Sequence, residues 1–172
     1  MYIDHGRRAI FLRNRKVGSA VMRKFLLRHG FEMCSPAHDI KMSVIDGHSG
    51  YWKFCFVRHP YELLMSGYHH ALTKHICSDV MEFLEGYGSE FRLQFDYASL
   101  CDFVGRYEKF EEDVCEVLRK LGIDEPFPKK KSKHHNKEHY YGEYDYRDYL
   151  TEEAKDFIDK KYGLDFERLG YA

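Results

Sequence analysis

An α/β fold is what this sequence predicts, because one arrangement recurs along it: an apolar run that reads as a strand, a short polar or glycine-bearing loop, then a helix with one apolar face. The run Ile10, Phe11, Leu12 precedes a helix with Val21, Met22, Phe25 and Leu26 on one side. Residues 51–57 (YWKFCFV) lead through Arg58, His59 and Pro60 into a helix whose face is Tyr61, Leu64, Met65, Tyr68, Ala71 and Leu72. Residues 100–107 (LCDFVGRY) lead into another, with Phe110, Val114, Val117, Leu118 and Leu121 along it. In open α/β sheets ligands bind beyond the carboxyl ends of the strands, so the loops after these runs are where chemistry is expected.

Taken in order, the first strand is short and continuously apolar, as a strand covered on both faces is. Its loop carries Arg15, Lys16, Val17, Gly18 and Ser19, the helix opens near Ala20, and Gly30 is expected to stop it. A helix's first turn presents unpaired N–H groups and the positive end of the dipole; Gly18 lets the backbone come close to an oxyanion and Lys16 adds a full charge. The nucleotide-binding pattern GxxxxGK[ST] is absent, since the lysine stands two places before the glycine. Residues 31–34 suit a second strand, and residues 35–50 a loop with one helical turn near 40–44 that contains His38, Asp39 and His48.

Pro60 sits where helices begin. Arg58, at the end of the strongest strand, offers bidentate contact to a phosphate, and the hydroxyl of Ser66 two turns along the helix is placed to complete it. Ser78 is expected to cap a helix over 79–84, broken by Gly86 and Gly88. Arg106 and Glu108 lie at the carboxyl end of the next strand, and Gly122 closes the helix that follows. Residues 126–150 are a basic, tyrosine-rich loop without periodicity, suited to closing over a polyanion. Residues 151–172 are a terminal helix and tail, with Thr151 as N-cap and Gly163 as terminator.

Composition narrows the classes. The 172 residues, 44% of them hydrophobic, suit a single domain with a substantial core. A net charge of −1 removes any global field that would argue for nucleic acid or a membrane surface, so an anion site must be local. Cys34, Cys55, Cys77, Cys101 and Cys115 are an odd number without a C-x-x-C pair and read as reduced thiols. No apolar run has the length of a membrane span and the first residues do not read as a signal peptide, so the expected protein is soluble and cytoplasmic, or luminal if excised from a longer anchored chain. His69-His70 and His134-His135 are adjacent pairs rather than i, i+4 ligands, and no metal site is assigned.

The loop KVGS at 16–19, the run FCFVRHPYELLMSGY at 54–68, DFVGRYEKFEEDV at 102–114 and the ending KKYGLDFERLGY at 160–171 together resemble the carbohydrate (Golgi-type) sulfotransferase family, which uses 3′-phosphoadenosine 5′-phosphosulfate (PAPS). The resemblance spans nearly the whole chain, and residues 56–68 are its most specific part. It implies a P-loop-kinase-like three-layer fold with a central, mainly parallel sheet flanked by helices. It also implies that Lys16 meets the bridging oxygen and 5′-phosphate of PAPS, that the N–H groups of Val17, Gly18, Ser19 and Ala20 and the Ser19 hydroxyl cradle that phosphate beside Arg15, and that Arg58 and Ser66 hold the 3′-phosphate. Arg106 and Lys133 are similar in placement to residues lining the cofactor or acceptor side.

A base must take the acceptor hydroxyl's proton, and histidine suits that task near neutral pH. In the family that the chain resembles the base lies between the first helix and the strand that leads to Arg58, so the resemblance implies His38, about twenty residues before Arg58 as in the family's spacing, with His48 and the carboxylate of Asp39 as alternatives. PAPS enters as co-substrate and PAP leaves as product, with no metal required. The expected acceptor is a hydroxyl on a carbohydrate, although the short interval between the Ser66 helix and the GRYE segment also admits a lipid or another hydroxylated metabolite. A PAP- or PAPS-binding module without transfer activity, and a small P-loop-like kinase, are the competing expectations.

Overall fold

A computed structural model describes residues 1–36, 38–128 and 146–171. The chain divides into two compact units: a sheet unit of residues 1–58 and 94–127, and a second unit of residues 59–93 and 128–172 whose described part is helical.

The sheet unit carries β1 (Tyr2–Asp4), β2 (Ala9–Phe11), β3 (Glu32–Met33), β4 (Trp52–Val57) and β5 (Phe103–Arg106), in the order β3-β1-β2-β4-β5. β2, β4 and β5 run parallel, Phe11 opposite Phe54 and Val57 opposite Arg106. β1 is antiparallel to both β2 and β3, so the sheet is mixed and the expectation of a mainly parallel one is corrected. The reason is local: a tight turn of a few residues joins β1 to β2, and only an antiparallel pair can be closed so briefly, whereas parallel neighbours need a crossover. Asp4 holds that turn, its carboxylate accepting from the Arg7 backbone N–H at 2.9 Å and from Arg7 Nη1 at 2.6 Å.

Ile10, Phe11, Leu12, Phe54, Cys55 and Phe56 are fully buried, the continuous burial that the two apolar runs anticipated. Helix α1 (Ser19–Arg28) buries Met22, Phe25 and Leu26, and α2 (Met42–Gly47) buries Ile45. After β4 come α3 (Pro60–Thr73) and α4 (Val80–Glu85) of the helical unit, then α5 (Phe95–Ala98) of the sheet unit, and after β5 comes α6 (Phe110–Leu121). α6 begins with Glu111, Glu112 and Asp113 against its dipole and ends at Gly122 with φ 65°, as the sequence implied.

In the helical unit, Pro60 opens α3. The cap of α4 is Asp79, which accepts from the Glu82 backbone N–H, not Ser78; the Ser78 N–H and hydroxyl both donate to Glu82 Oε2 at 2.7 Å. Helix α7 (Glu152–Leu169) is capped by Thr151 as expected, but Gly163 does not end it. The chain leaves helical geometry at Tyr162 (φ −110°, ψ 15°), resumes, and stops at Gly170 with φ 66°. Tyr162 is buried and its hydroxyl donates to the Gly88 and Phe91 carbonyls, both at 3.2 Å, so a tethered side chain accompanies the kink. Among the described residues no helix is long and apolar enough to cross a membrane. All five cysteines carry free thiols.

Candidate functional site

Beyond Phe11 the chain keeps one more sheet bond, Leu12 N–H to the Phe54 carbonyl at 2.9 Å, and then turns through residues 13–18. Lys16 has φ 55° and Gly18 φ 75°. A left-handed lysine is unfavourable by about 1 kcal/mol and persists only where its surroundings hold it. Gly18 is required twice over: its φ is positive, and a Cβ there would stand 2.8 Å from the Phe110 ring. Phe110 in turn packs on Phe56, with ring centroids 5.1 Å apart.

Gly18 is the N-cap of α1; it supplies no side-chain cap, and the first turn of the helix has no acidic residue. The first helical N–H groups and the positive dipole end therefore carry no anionic neighbour on their own helix. Val17 and Ser19 are buried, while Ala20 is exposed.

Arg58 follows directly on β4. Its Nη1 donates to the Lys16 carbonyl at 3.5 Å, and its guanidinium lies 4.3 Å above the Tyr107 ring. Lys16 is thereby paired in space with a second cation. Burial, and then the charge of Arg58, lower the Lys16 pKa from its ordinary 10.5 to about 8. The Arg58 charge thus adds to the positive potential felt at the Lys16 ammonium.

Arg58 is fixed from its backbone. The Gln94 side chain accepts from the Arg58 N–H at 2.8 Å and donates to the Arg58 carbonyl at 2.7 Å, as a neighbouring strand would. Asn14 donates to Gln94 Oε1 at 3.4 Å and to the Phe56 carbonyl at 3.5 Å, and its own Oδ1 accepts from the Arg15 N–H at 2.7 Å. Gln94 is 0% and Asn14 3% exposed. At the next strand's end the Arg106 N–H donates to the Asp113 carboxylate at 2.5 Å, which ties β5 to the first turn of α6.

His38 also reaches this loop. Its Nδ1 lies 3.3 Å from the Arg13 carbonyl, and its own carbonyl accepts from the Tyr97 hydroxyl at 2.8 Å. A carbonyl only accepts, so the neutral ring carries its proton on Nδ1 and keeps the lone pair on Nε2. Burial, then the charges of Arg13 and Arg15, lower its pKa to about 4, and it is neutral throughout the physiological range.

His48 is placed elsewhere. It ends α2, binds the Val44 carbonyl, and meets Tyr51 edge-on and His5 at a tilt at the amino end of β4, whereas Lys16 meets Arg58 at the carboxyl end. Six strand residues of about 3.3 Å each separate those ends, so His48 is not part of the lysine cluster. Ser66 lies half-buried on α3 of the helical unit, and Lys133 lies outside the described residues. Asn14 and Gln94 have no signal in the sequence; Phe110 reads there only as part of an apolar helix face, and Tyr107 and Asp113 only as members of the segment 102–114. Among the described residues no group of three or more His, Cys, Asp and Glu is arranged to hold a metal ion.

No family model matches the chain, and no solved structure matches it. It is 31% identical over 86 residues to a protein of Archaeoglobus fulgidus described as an uncharacterized protein, an alignment covering 44% of this chain and 72% of the relative. The chain belongs to the family of that archaeal protein.

Proposed function

We propose that the protein is a PAPS-dependent sulfotransferase that moves a sulfuryl group to an acceptor hydroxyl, with a carbohydrate as the first acceptor class to test. The observation that carries this reading is the meeting of Lys16, Arg58 and the uncapped start of α1 at the carboxyl ends of β2 and β4. The sequence resemblance gives the same residues to the two ends of a doubly phosphorylated adenosine.

Sulfuryl transfer asks little covalent chemistry of a protein and much electrostatics. The acceptor oxygen bonds to sulfur, the bond from sulfur to the 5′-phosphate oxygen breaks, and the electron pair stays on PAP. Lys16 and the first N–H groups of α1 would stabilise that growing charge, and His38 Nε2 would receive the acceptor's proton. Arg58 would bind a terminal phosphate; Ser66 and Lys133 keep their roles from the resemblance alone. A P-loop-kinase-like ancestry belongs to the same proposal.

One observation favours a second reading, a PAP- or PAPS-binding module without turnover: a histidine with a pKa of about 4 is a weak base near neutrality. The bound donor's negative charge would offset Arg13 and Arg15 and raise it. Calorimetry with adenosine 3′,5′-bisphosphate against ATP tests the class, and preference for ATP would end the sulfotransferase reading in favour of a kinase. Transfer of labelled sulfate over a panel of glycans and simple alcohols separates enzyme from module.

A further inference from the structure

We infer that Gln94 is a positioning residue, which with Asn14 sets the spacing between the lysine loop and Arg58 and so selects a ligand carrying two separated anionic groups. The inference rests on the anion-site reading above and adds to it the part that fixes the distance.

The two cations come from segments far apart in sequence. What holds Arg58 is an amide that reads both its backbone N–H and its carbonyl, the pattern of one rung of a sheet, supplied by a side chain where β4 has ended. The same Gln94 Oε1 also accepts from Asn14, whose other amide atom fixes the Arg15 N–H next to Lys16. The chain of contacts therefore runs from Lys16's neighbour to Arg58 through two amide side chains shielded from water. Buried amide networks are costly unless every member is satisfied, and a satisfied one specifies a single geometry. Tyr107 beneath the guanidinium limits the other direction in which Arg58 can move.

Methionine at 94 would keep similar volume and lose both contacts to Arg58; glutamate would keep the acceptor and lose the donor. The charge of Arg58 reaches Lys16, so the spacing has a readout without any ligand: the titration of Lys16.

The test uses the full chain and its Gln94→Met, Gln94→Glu and Asn14→Ser variants, each first checked for a folded circular dichroism spectrum and a cooperative melt. Calorimetry with adenosine 3′,5′-bisphosphate is expected to show about ten- to hundredfold weaker binding to Gln94→Met, with a much smaller loss for adenosine 5′-monophosphate, because a misplaced second cation matters only to a ligand that spans both. The losses of Gln94→Met and Asn14→Ser are expected to be strongly non-additive. An NMR titration of Lys16 in the unliganded protein is expected to move upward from about 8 in Gln94→Met as Arg58 recedes. Equal losses for both nucleotides, or an unchanged Lys16 titration in folded Gln94→Met, overturn the inference. Should the parent protein ignore the bisphosphate, the sulfotransferase reading fails while the Lys16 titration still decides the role of Gln94.

Discussion

Replacing Lys16 by methionine should make the protein more stable and unable to use its ligand. Lys16 loses proton affinity on folding, from 10.5 to about 8, because it is partly buried beside Arg58. At about 1.4 kcal/mol for each tenfold change, the folded state carries a penalty of at most about 3.5 kcal/mol for keeping the ammonium charged, and about half of that after allowing for residual solvent contact. Both folded and unfolded lysine are protonated below pH 8, so the penalty is complete there. It shrinks as pH rises from 8 to 10.5, where the unfolded chain still holds the proton and the folded one has released it. Methionine matches the length of the stem and retains the left-handed backbone at this position, so the comparison isolates the charge.

Urea unfolding of the parent and Lys16→Met at pH 7 and pH 9.5 is the assay. The expected gain is about 1.5–3 kcal/mol at pH 7, a rise in Tm of roughly 3–10 °C for a chain of this size, and clearly less at pH 9.5. Saturating adenosine 3′,5′-bisphosphate should stabilise the parent, by about 2.7 kcal/mol at a hundred times its Kd, and leave Lys16→Met nearly unmoved. A variant less stable than the parent at pH 7, or a gain that does not change with pH, would refute the assignment of strain to this charge.

Other outcomes follow from the same geometry. Gly18→Ala meets both a positive φ and the Phe110 ring, and should lower stability by about 1–3 kcal/mol and weaken bisphosphate binding; a melt and a calorimetric titration check it. Gly163→Ala, on the exposed surface of α7 with open space around the new methyl, should raise stability by about 0.5–1 kcal/mol in the same melt. His38 must be neutral to accept a proton, so kcat/KM for sulfate transfer should fall only as pH drops through about 4, whereas the acid limb of kcat should lie higher once donor charge offsets Arg13 and Arg15. Folding depresses the His38 pKa below its ordinary 6.5, so the fold should lose stability between pH 6.5 and about 4, and His38→Asn, which tolerates the residue's φ of 65°, should lose less over that window.

The strands that carry the site were legible because burial on both faces leaves continuous apolar runs, as at Ile10 to Leu12 and Phe54 to Val57. The loop of Lys16 and Gly18 was legible as a turn because a glycine between an apolar run and a helical pattern marks one, and its chemistry was suggested only in combination with the Arg58 motif. β1 was missed, since Tyr2, Ile3 and Asp4 are too short a run to announce a strand and owe their pairing to the turn that Asp4 holds. Gly163 misled because an isolated glycine marks a helix end only when its φ turns positive, and here Gly170 does that. His38 and His48 were equivalent by composition; only the sheet shows that they serve opposite ends of β4. Gln94 and Asn14 had no signal at all, because an amide acquires its meaning from partners dozens of residues away.

The clasp of Gln94 on Arg58 has a consequence for how this chain can diverge. Residues 59–93 depart from the sheet unit at one end of that clasp and rejoin it at the other, so the excursion begins and finishes a hydrogen bond apart. Closing it costs the sheet little whatever its length, because entropy grows only logarithmically with the residues enclosed. The closure of the sheet unit therefore sets no limit of its own on the length of this segment, whose limits come instead from its packing with α7 in the helical unit.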